Sequence, residues 1–303
     1  MRLTTHNLYD SLRAVLITAP WVFCLGVADI LLSLLLLVKP FAPDFVYHAS
    51  SGIASVVWRW IQYIFEGWNG AYITLHGDAL PQRESAIVIA NHVTWADFYM
   101  IQALAQRAGM LGQCRWFAKI QLRMVPFLGW GLWAMGMPLV SRNWMRDQEE
   151  LRRVFSGIVD RKWPTWLISF SEATRFTPQK YEESKVWCVQ NSRPQPLHLL
   201  YPRTKGFITT VRHLRKAPHV KAVYDFTIAY QHKGRFHEAP NMWETLKLRG
   251  LSDTHGYRFH VLARRYPLEE LPHTEEDLAK WLEQRWVEKG EWLESKRVEW
   301  SLG

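Results

Sequence analysis

The chain has 303 residues, and 48% of them are hydrophobic, which excludes an intrinsically disordered protein. A formal net charge of +9 favours an anionic partner, such as nucleic acid, anionic lipid, or a phosphorylated or CoA-bearing substrate. The three cysteines are odd in number and far apart, which argues against a disulfide framework or a zinc ribbon and fits a reducing compartment.

The first predicted element is an apolar helix, Val15 to Val38, which contains one charge, Asp29, and one proline. It is long enough to cross a bilayer, since a span needs about 20 apolar residues. A cleaved signal peptide fits poorly, because its apolar region runs only about 7–15 residues. A buried core helix is the alternative, but the Leu-rich second half favours lipid.

A second apolar segment, Phe45 to Phe65, is interrupted by His48 and Arg59. It could span the bilayer, re-enter it, or lie flat in the headgroup region as an amphipathic helix. We therefore divide the chain into residues 1–69, which hold one or two membrane-anchoring helices, and residues 70–303, which form a soluble domain.

Residues 70–303 alternate between strand and helix patterns, and this alternation predicts an α/β fold with a mostly parallel sheet flanked by helices. The predicted strands are Ser85–Ala90, Thr165–Phe170, Ala222–Tyr230 and Tyr257–Ala263, and the predicted helices are Ala96–Gly109, Arg146–Asp160, Lys205–Lys216 and the C-terminal Thr274–Trp300. Ligands of such sheets bind beyond the carboxyl ends of the strands.

A histidine and a carboxylate follow the first of these strands, His92 in the loop and Asp97 in the first turn of the next helix. There the carboxylate can hold one imidazole nitrogen as a donor and leave the other to accept a proton, which is the base-and-orienter half of a catalytic triad. The chain has neither the G-x-S-x-G motif of serine hydrolases nor the H-E-x-x-H motif of zinc proteases. The base is therefore expected to act on a hydroxyl of a substrate.

Cationic residues follow other apolar runs. The segment FSEATRF comes directly after the predicted strand Thr165–Phe170, so Glu172 and Arg175 should lie at the same sheet edge as His92. The segment YPRTKGF, with Arg203, is expected at another strand end. Arginine suits bidentate phosphate binding, although each of these cations alone also fits a plain surface position.

Together these motifs resemble the lysophosphatidic acid acyltransferase family, the glycerolipid acyltransferases with an H-x4-D signature. Residues 91–97, NHVTWAD, match that signature, and residues 170–175, FSEATR, match the family block F-P-E-G-T-R with Ser171 and Ala173 in place of Pro and Gly. The segments YPRTKGF, AVYDFTIAY and RRYPLEELP resemble the eukaryotic branch that includes the lysocardiolipin acyltransferases. The resemblance runs from about residue 85 almost to the C-terminus.

The resemblance implies that residues 70–303 form an acyltransferase domain that moves an acyl group from acyl-CoA to a hydroxyl of a lysophospholipid. It implies His92 as general base, Asp97 as its orienting carboxylate, and Glu172 and Arg175 as binders of the acceptor phosphate. Weaker candidates are Arg142 and Arg203 for phosphate and Lys119 for the oxyanion or phosphate. If the loop needs a positive φ at Ala173, the alanine methyl group is costly there.

The resemblance also implies no metal and no bound cofactor, because acyl-CoA arrives as a co-substrate. The expected partners are acyl-CoA, a lysophospholipid and the lipid bilayer, and not nucleic acid. We expect the endoplasmic reticulum membrane as the location, with the mitochondrial membrane or the lipid droplet as alternatives. A non-catalytic lipid-binding or scaffold protein on the same fold is the competing interpretation.

Overall fold

The computed structural model describes residues 5–141 and 144–302. In this part of the chain two long helices, α1 (Thr5–Val38) and α2 (Pro43–Tyr63), come first, and α2 continues into a short π-helix, Ile64–Trp68. The strands that follow are β1 (Ile73–Gly77), β2 (Ser85–Ala90), β3 (Cys114–Trp116), β4 (Ala118–Lys119), β5 (Leu139–Val140), β6 (Trp166–Phe170), β7 (Val220–His232), β8 (Arg235–Phe236) and β9 (Tyr257–Pro267). The remaining helices are α3 (Asp97–Arg107), α4 (Leu128–Ala134), α5 (Trp144–Arg161), α6 (Pro178–Gln190), α7 (Thr204–Leu214), α8 (Met242–Lys247) and α9 (Glu275–Leu302).

The main sheet has the strand order β1-β9-β7-β2-β6-β3, with β8 added to β7. The pairs within it are parallel except for β7 with β9 and β7 with β8, while β4 and β5 form a separate parallel pair. The predicted α/β class with a mostly parallel sheet flanked by helices is therefore confirmed. Ala90 of β2 pairs with Phe170 of β6, so the loops after these strands leave the same edge.

Strand β2 lies at the centre and every one of its residues is buried. Its alternating side chains serve two cores: Val88 faces the core that includes α2 and α3, and Ile87 and Ile89 face the core under α5, α7 and α9. Burial on both faces explains why the strand appears in the sequence as an uninterrupted apolar run.

The segment YPRTKGF does not follow a strand, so that expectation was wrong. Residues 191–203 form the connection between α6 and α7. The apolar residues just before it, Leu199 and Leu200, are buried without belonging to a strand. The backbone N–H of Leu200 donates to the Glu172 carboxylate and not to a neighbouring strand.

Helix α2 packs as part of the α/β unit. The hydroxyl of Tyr47 donates to the carbonyl of Pro164 at 2.5 Å, and the Tyr47 ring stacks on Trp163 at 4.4 Å. Arg115 donates to the hydroxyl of Ser51 at 2.7 Å. The second N-terminal segment is therefore a half-buried helix of the domain, and an anchoring role for residues 1–69 as a whole stays a prediction.

Helix α1 has a different character. The stretch Tyr9–Val38, with a mean hydropathy of 2.5, is long and apolar enough to cross a membrane, and only 11% of its most apolar window is buried. Both of its ends contact the α/β unit. Arg13 donates to the side chain of Asn69 at 3.1 Å, and Lys39 donates to the carbonyls of Trp133 and Ala134 at 3.1 and 3.2 Å.

Candidate active site

The site begins where β2 ends. The side chain of Asn91 exchanges two hydrogen bonds with the backbone of Ile228 on β7, accepting at 2.7 Å and donating at 3.0 Å. Asn91 thus extends the pairing of β2 with β7 by one side chain, and the chain then turns into the loop that carries His92. This fixes the point at which the loop leaves the sheet.

His92 and Asp97 form the contact that their order in the sequence suggested. Nδ1 of His92 lies 2.7 Å from Oδ2 of Asp97, and that oxygen also accepts from the backbone N–H groups of Val93 and Thr94 at 2.7 and 3.0 Å. The other oxygen, Oδ1, accepts from the hydroxyl of Tyr230 at 2.7 Å. Because the carboxylate accepts at both oxygens, Nδ1 of His92 is the donor and Nε2 is the nitrogen that can take up a proton.

The surroundings of the pair are apolar on one side. Asp97 is fully buried and the His92 side chain is 14% exposed. The imidazole stacks on Phe170 of β6 with ring centroids 4.0 Å apart, and Phe98 and Trp116 pack around Phe170. The His92 ring is therefore mostly withdrawn from water.

Glu172 lies beside the backbone of this loop. Its carboxyl group accepts from the N–H of His92 at 3.2 Å and from the N–H of Leu200 at 3.4 Å. The pKa of Glu172 is raised to about 8, chiefly by burial, while the two amides oppose the rise and the nearby Asp97 contributes to it. The position of Glu172 suits support of the His92 backbone, and a contact of Glu172 with the acceptor phosphate stays a prediction.

Three of the cationic candidates, Arg175, Arg203 and Lys119, lie within the described residues. Arg175 and Arg203 are both exposed, and the backbone N–H of Arg203 donates to the carbonyl of Ser171 at 2.7 Å, which joins the two loops. Lys119 is exposed on β4, just past the short strand β3 that pairs with β6. Arg142 lies outside the described residues.

Ala173 adopts a φ of 59°. This is the left-handed region, which glycine enters freely and alanine enters at a cost of about 1–2 kcal/mol. The loop therefore has the conformation in which the alanine methyl group is expected to be unfavourable.

Sequence reasoning missed Tyr230 as a member of the site. It lies on a fully buried stretch of β7, where an aromatic residue is most simply interpreted as core. The one available signal is chemical, because a buried tyrosine hydroxyl requires a hydrogen-bond partner. The sequence does not say which partner this is.

Comparisons with known proteins agree with this geometry. A family model described as Acyltransferase matches residues 72–231, which is 160 of the 303 residues, and a second, described as Acyltransferase C-terminus, matches residues 251–295. The first match contains the loops that carry His92, Asp97 and Glu172, and it contains Tyr230.

The chain is 29% identical over 263 residues to 1-acyl-sn-glycerol-3-phosphate acyltransferase 3 of Arabidopsis thaliana, covering 86% of this chain and 67% of the relative. It is 33% identical over 230 residues to 1-acyl-sn-glycerol-3-phosphate acyltransferase delta of Bos taurus, covering 75% and 58%. The chain thus spans about three fifths to two thirds of the length of these relatives.

Among solved structures, the chain resembles the 1-acyl-sn-glycerophosphate (LPA) acyltransferase PlsC from Thermotoga maritima, with a TM-score of 0.50 and 16% identity over 94% of this chain and 98% of that one. At this identity the likeness establishes the fold alone. Taken with the family model that covers more than half of the sequence, these findings show that the chain belongs to the acyltransferase family that includes the 1-acyl-sn-glycerol-3-phosphate acyltransferases.

Proposed function

We propose that this protein is an acyl-CoA-dependent O-acyltransferase that transfers a fatty acyl group to a hydroxyl of a lysophospholipid. The relatives' names make lysophosphatidic acid the first acceptor to test, with lysocardiolipin and lysophosphatidylinositol as related acceptors. The observation that carries the proposal is the contact of 2.7 Å between Nδ1 of His92 and Oδ2 of Asp97, because it leaves Nε2 as a base directed at a substrate.

In the proposed reaction, Nε2 of His92 removes the proton from the acceptor hydroxyl while the oxygen attacks the carbonyl carbon of the thioester. Asp97 stabilises the imidazolium ion that forms. The tetrahedral intermediate then expels the CoA thiolate, which receives the proton from His92, so no acyl-enzyme is formed. General base catalysis of this kind contributes about 10²–10⁴-fold.

The developing oxyanion needs hydrogen-bond donors. The backbone amides of His92, Val93 and Thr94 already donate to the carboxyl groups of Glu172 and Asp97. That occupancy favours a donor from another segment, and Lys119 is the candidate we keep.

For the acceptor phosphate we propose Arg175 and Arg203, since both are exposed on loops that are joined beside the site. Arginine forms charge-assisted, often bidentate, hydrogen bonds with phosphate. Arg142 is retained on the sequence alone. We propose no metal and no bound cofactor, because the acyl donor carries CoA with it, and no nucleic acid partner.

The exposed apolar face of α1 supports a location at a lipid bilayer, where a lysophospholipid resides. We propose the endoplasmic reticulum membrane, with the mitochondrial membrane and the lipid droplet as the alternatives for microscopy of the tagged protein to separate.

The test is an assay of the purified protein with labelled acyl-CoA and a panel of lysophospholipids. Wild-type protein should acylate at least one acceptor, and His92→Ala should lower the rate at least about 100-fold while the protein still accumulates. His232→Ala is a matched control, because His232 is also 14% exposed and also lies 2.7 Å from a carboxylate, that of Glu238. Binding of lipid without turnover on any acceptor would instead favour the non-catalytic interpretation.

A further inference from the structure

The Asp97 carboxylate receives hydrogen bonds from two parts of the molecule. Three donors, the ring of His92 and the amides of Val93 and Thr94, come from its own loop and all reach Oδ2. The fourth, the hydroxyl of Tyr230, comes from β7, 133 positions along the chain, and reaches Oδ1 at 2.7 Å.

The length of β7 makes this contact possible. Strand β2 ends at Ala90, which pairs with Phe226, whereas β7 continues to His232. The additional residues of β7 lie alongside the catalytic loop: Ile228 pairs with the side chain of Asn91, and Tyr230, two residues further and on the same face, reaches Asp97.

Both partners are fully buried, Asp97 and Tyr230 each showing 0% exposure. Oδ1 is thus withdrawn from water, and the tyrosine hydroxyl replaces the solvent that would otherwise satisfy it. Burial and the Asp97 carboxylate raise the pKa of Tyr230, so the phenol stays protonated and continues to donate.

We propose that Tyr230 is a positioning residue that acts on His92 through Asp97. By donating to Oδ1 it holds the carboxylate in the rotamer that presents Oδ2 to Nδ1, and it draws negative charge away from Oδ2. The strength of this one donor thereby sets how strongly Asp97 stabilises the imidazolium ion and how basic Nε2 is. The proposal rests on the proposed role of His92 as the general base.

Other titratable groups lie near Asp97 and Tyr230. Glu172, after β6, accepts from the His92 backbone, and on α9 Lys289 contacts Asp225 of β7 and interacts electrostatically with Glu172. These groups stay in place when only the Tyr230 hydroxyl is removed, so their contribution cancels in a comparison of Tyr230→Phe with wild type.

Tyr224 offers a matched control. It lies six residues earlier on the same face of β7, is also 0% exposed, and donates its hydroxyl to a carboxylate, that of Glu84, at 2.6 Å. Tyr224→Phe therefore removes a part-buried tyrosine–carboxylate hydrogen bond from the same strand without touching the catalytic loop.

The experiment compares both variants with wild type as full-length protein, using acyl-CoA and lysophosphatidic acid over a range of pH. Tyr230→Phe should lower kcat/KM about tenfold at neutral pH, with KM for both substrates changed less than about twofold. The acid limb of its profile of kcat/KM against pH should move to higher pH, because a carboxylate that loses a donor stabilises imidazolium more strongly. Replacement of Tyr230 by 3-fluorotyrosine, a stronger donor, should move the limb to lower pH. Tyr224→Phe should leave the limb unchanged.

A second readout does not depend on activity. In protein labelled with ¹⁵N-histidine, with the His92 signal assigned by its loss in His92→Gln, the midpoint of the His92 titration should rise in Tyr230→Phe and stay constant in Tyr224→Phe. An unchanged midpoint and acid limb in Tyr230→Phe would overturn the proposal, even if the variant is less active. If wild type acylates no acceptor, the proposed function fails, and the titration alone decides whether Tyr230 controls His92.

Discussion

The backbone N–H of His92 donates to Oε1 of Glu172 at 3.2 Å, so the segment after β6 supports the loop after β2 from within the protein. The same carboxyl group accepts from Leu200, which connects a third segment to the site. A residue expected to bind phosphate therefore contacts the main chain of the proposed general base.

This contact predicts different effects for two substitutions of Glu172. Glu172→Ala should lower kcat about tenfold or more with little change in KM for the acceptor, because it leaves the His92 amide without a buried acceptor. Glu172→Gln should retain most of the activity, since the amide oxygen can still accept from His92. Steady-state kinetics decide between the two roles: a large rise in acceptor KM at unchanged kcat would instead support phosphate binding by Glu172.

Glu172 also predicts a pH dependence of stability. Burial raises its pKa from 4.5 to about 8, so the folded protein keeps a proton that the unfolded chain releases. The stabilisation is complete below about pH 4.5 and is lost as the pH rises through 8. Glu172→Gln cannot ionise, so its free energy of unfolding, measured with urea, should fall less than that of wild type between pH 5 and 8. The exposed Glu291→Gln should behave like wild type.

Arg175 and Arg203 are expected to act through the acceptor phosphate. Arg175→Ala or Arg203→Ala should raise KM for a lysophospholipid phosphate by about 10–100-fold with a smaller effect on kcat, as expected for the loss of a charge-assisted hydrogen bond. KM for acyl-CoA should change little. Arg235→Ala, which removes an arginine that is 72% exposed on β8, is the control for net charge. Equal KM values for the lysophospholipid in all three variants would mean that neither Arg175 nor Arg203 binds the acceptor phosphate.

Ala173 predicts a stabilising substitution. Its φ of 59° means that Ala173→Gly relieves strain, and we expect a gain of about 0.5–1 kcal/mol in the free energy of unfolding. Ala239, a half-buried loop residue without a positive φ, provides the opposite case, and Ala239→Gly should destabilise the protein. Chemical denaturation of the two variants tests this directly. A loss of stability in Ala173→Gly would mean that the loop does not hold this conformation in solution.

The contacts at both ends of α1 predict its topology. Cysteines placed at Leu12 and Phe41, which are 57% and 88% exposed, should react with a membrane-impermeant maleimide from the same side of sealed vesicles. A cysteine at Val189 on α6 reports the side of the membrane on which the α/β unit lies, and it should react from the same side as positions 12 and 41. The new cysteines are introduced into a Cys24→Ser variant, so that the native thiol of Cys24 does not contribute to the labelling. Labelling of positions 12 and 41 from opposite sides would instead establish that α1 crosses the bilayer.

Much of the fold was predictable because its signals are local. Strand β2 has the bounds that its apolar run predicts, and the edge shared by His92 and the segment FSEATRF follows from the parallel pairing of β2 with β6. The family resemblance rests on two short motifs, residues 91–97 and residues 170–175, the second of which departs from the family block at Ser171 and Ala173.

The rest depends on contacts between distant residues. The hydroxyl of Tyr230 contacts Asp97 only because β7 extends beyond the end of β2, and no pattern within β7 encodes that difference in length. The role of Glu172 depends on a main-chain amide, which every residue but proline carries, so the sequence does not mark it. The loop before α7 was wrongly predicted to follow a strand, because its leucines are buried although they belong to no strand.

The contacts of α1 also lead to an expectation about where a product could go. Arg13 and Lys39 are separated by about 39 Å of helix, yet both are held by the same folded unit. We expect a helix held in this way to lie along one surface of a bilayer, as in a monotopic protein, with its apolar side in a single leaflet. The acceptor would then enter from that leaflet and the acylated lipid would return to it, so supply of the opposite leaflet would require a separate lipid-translocating protein.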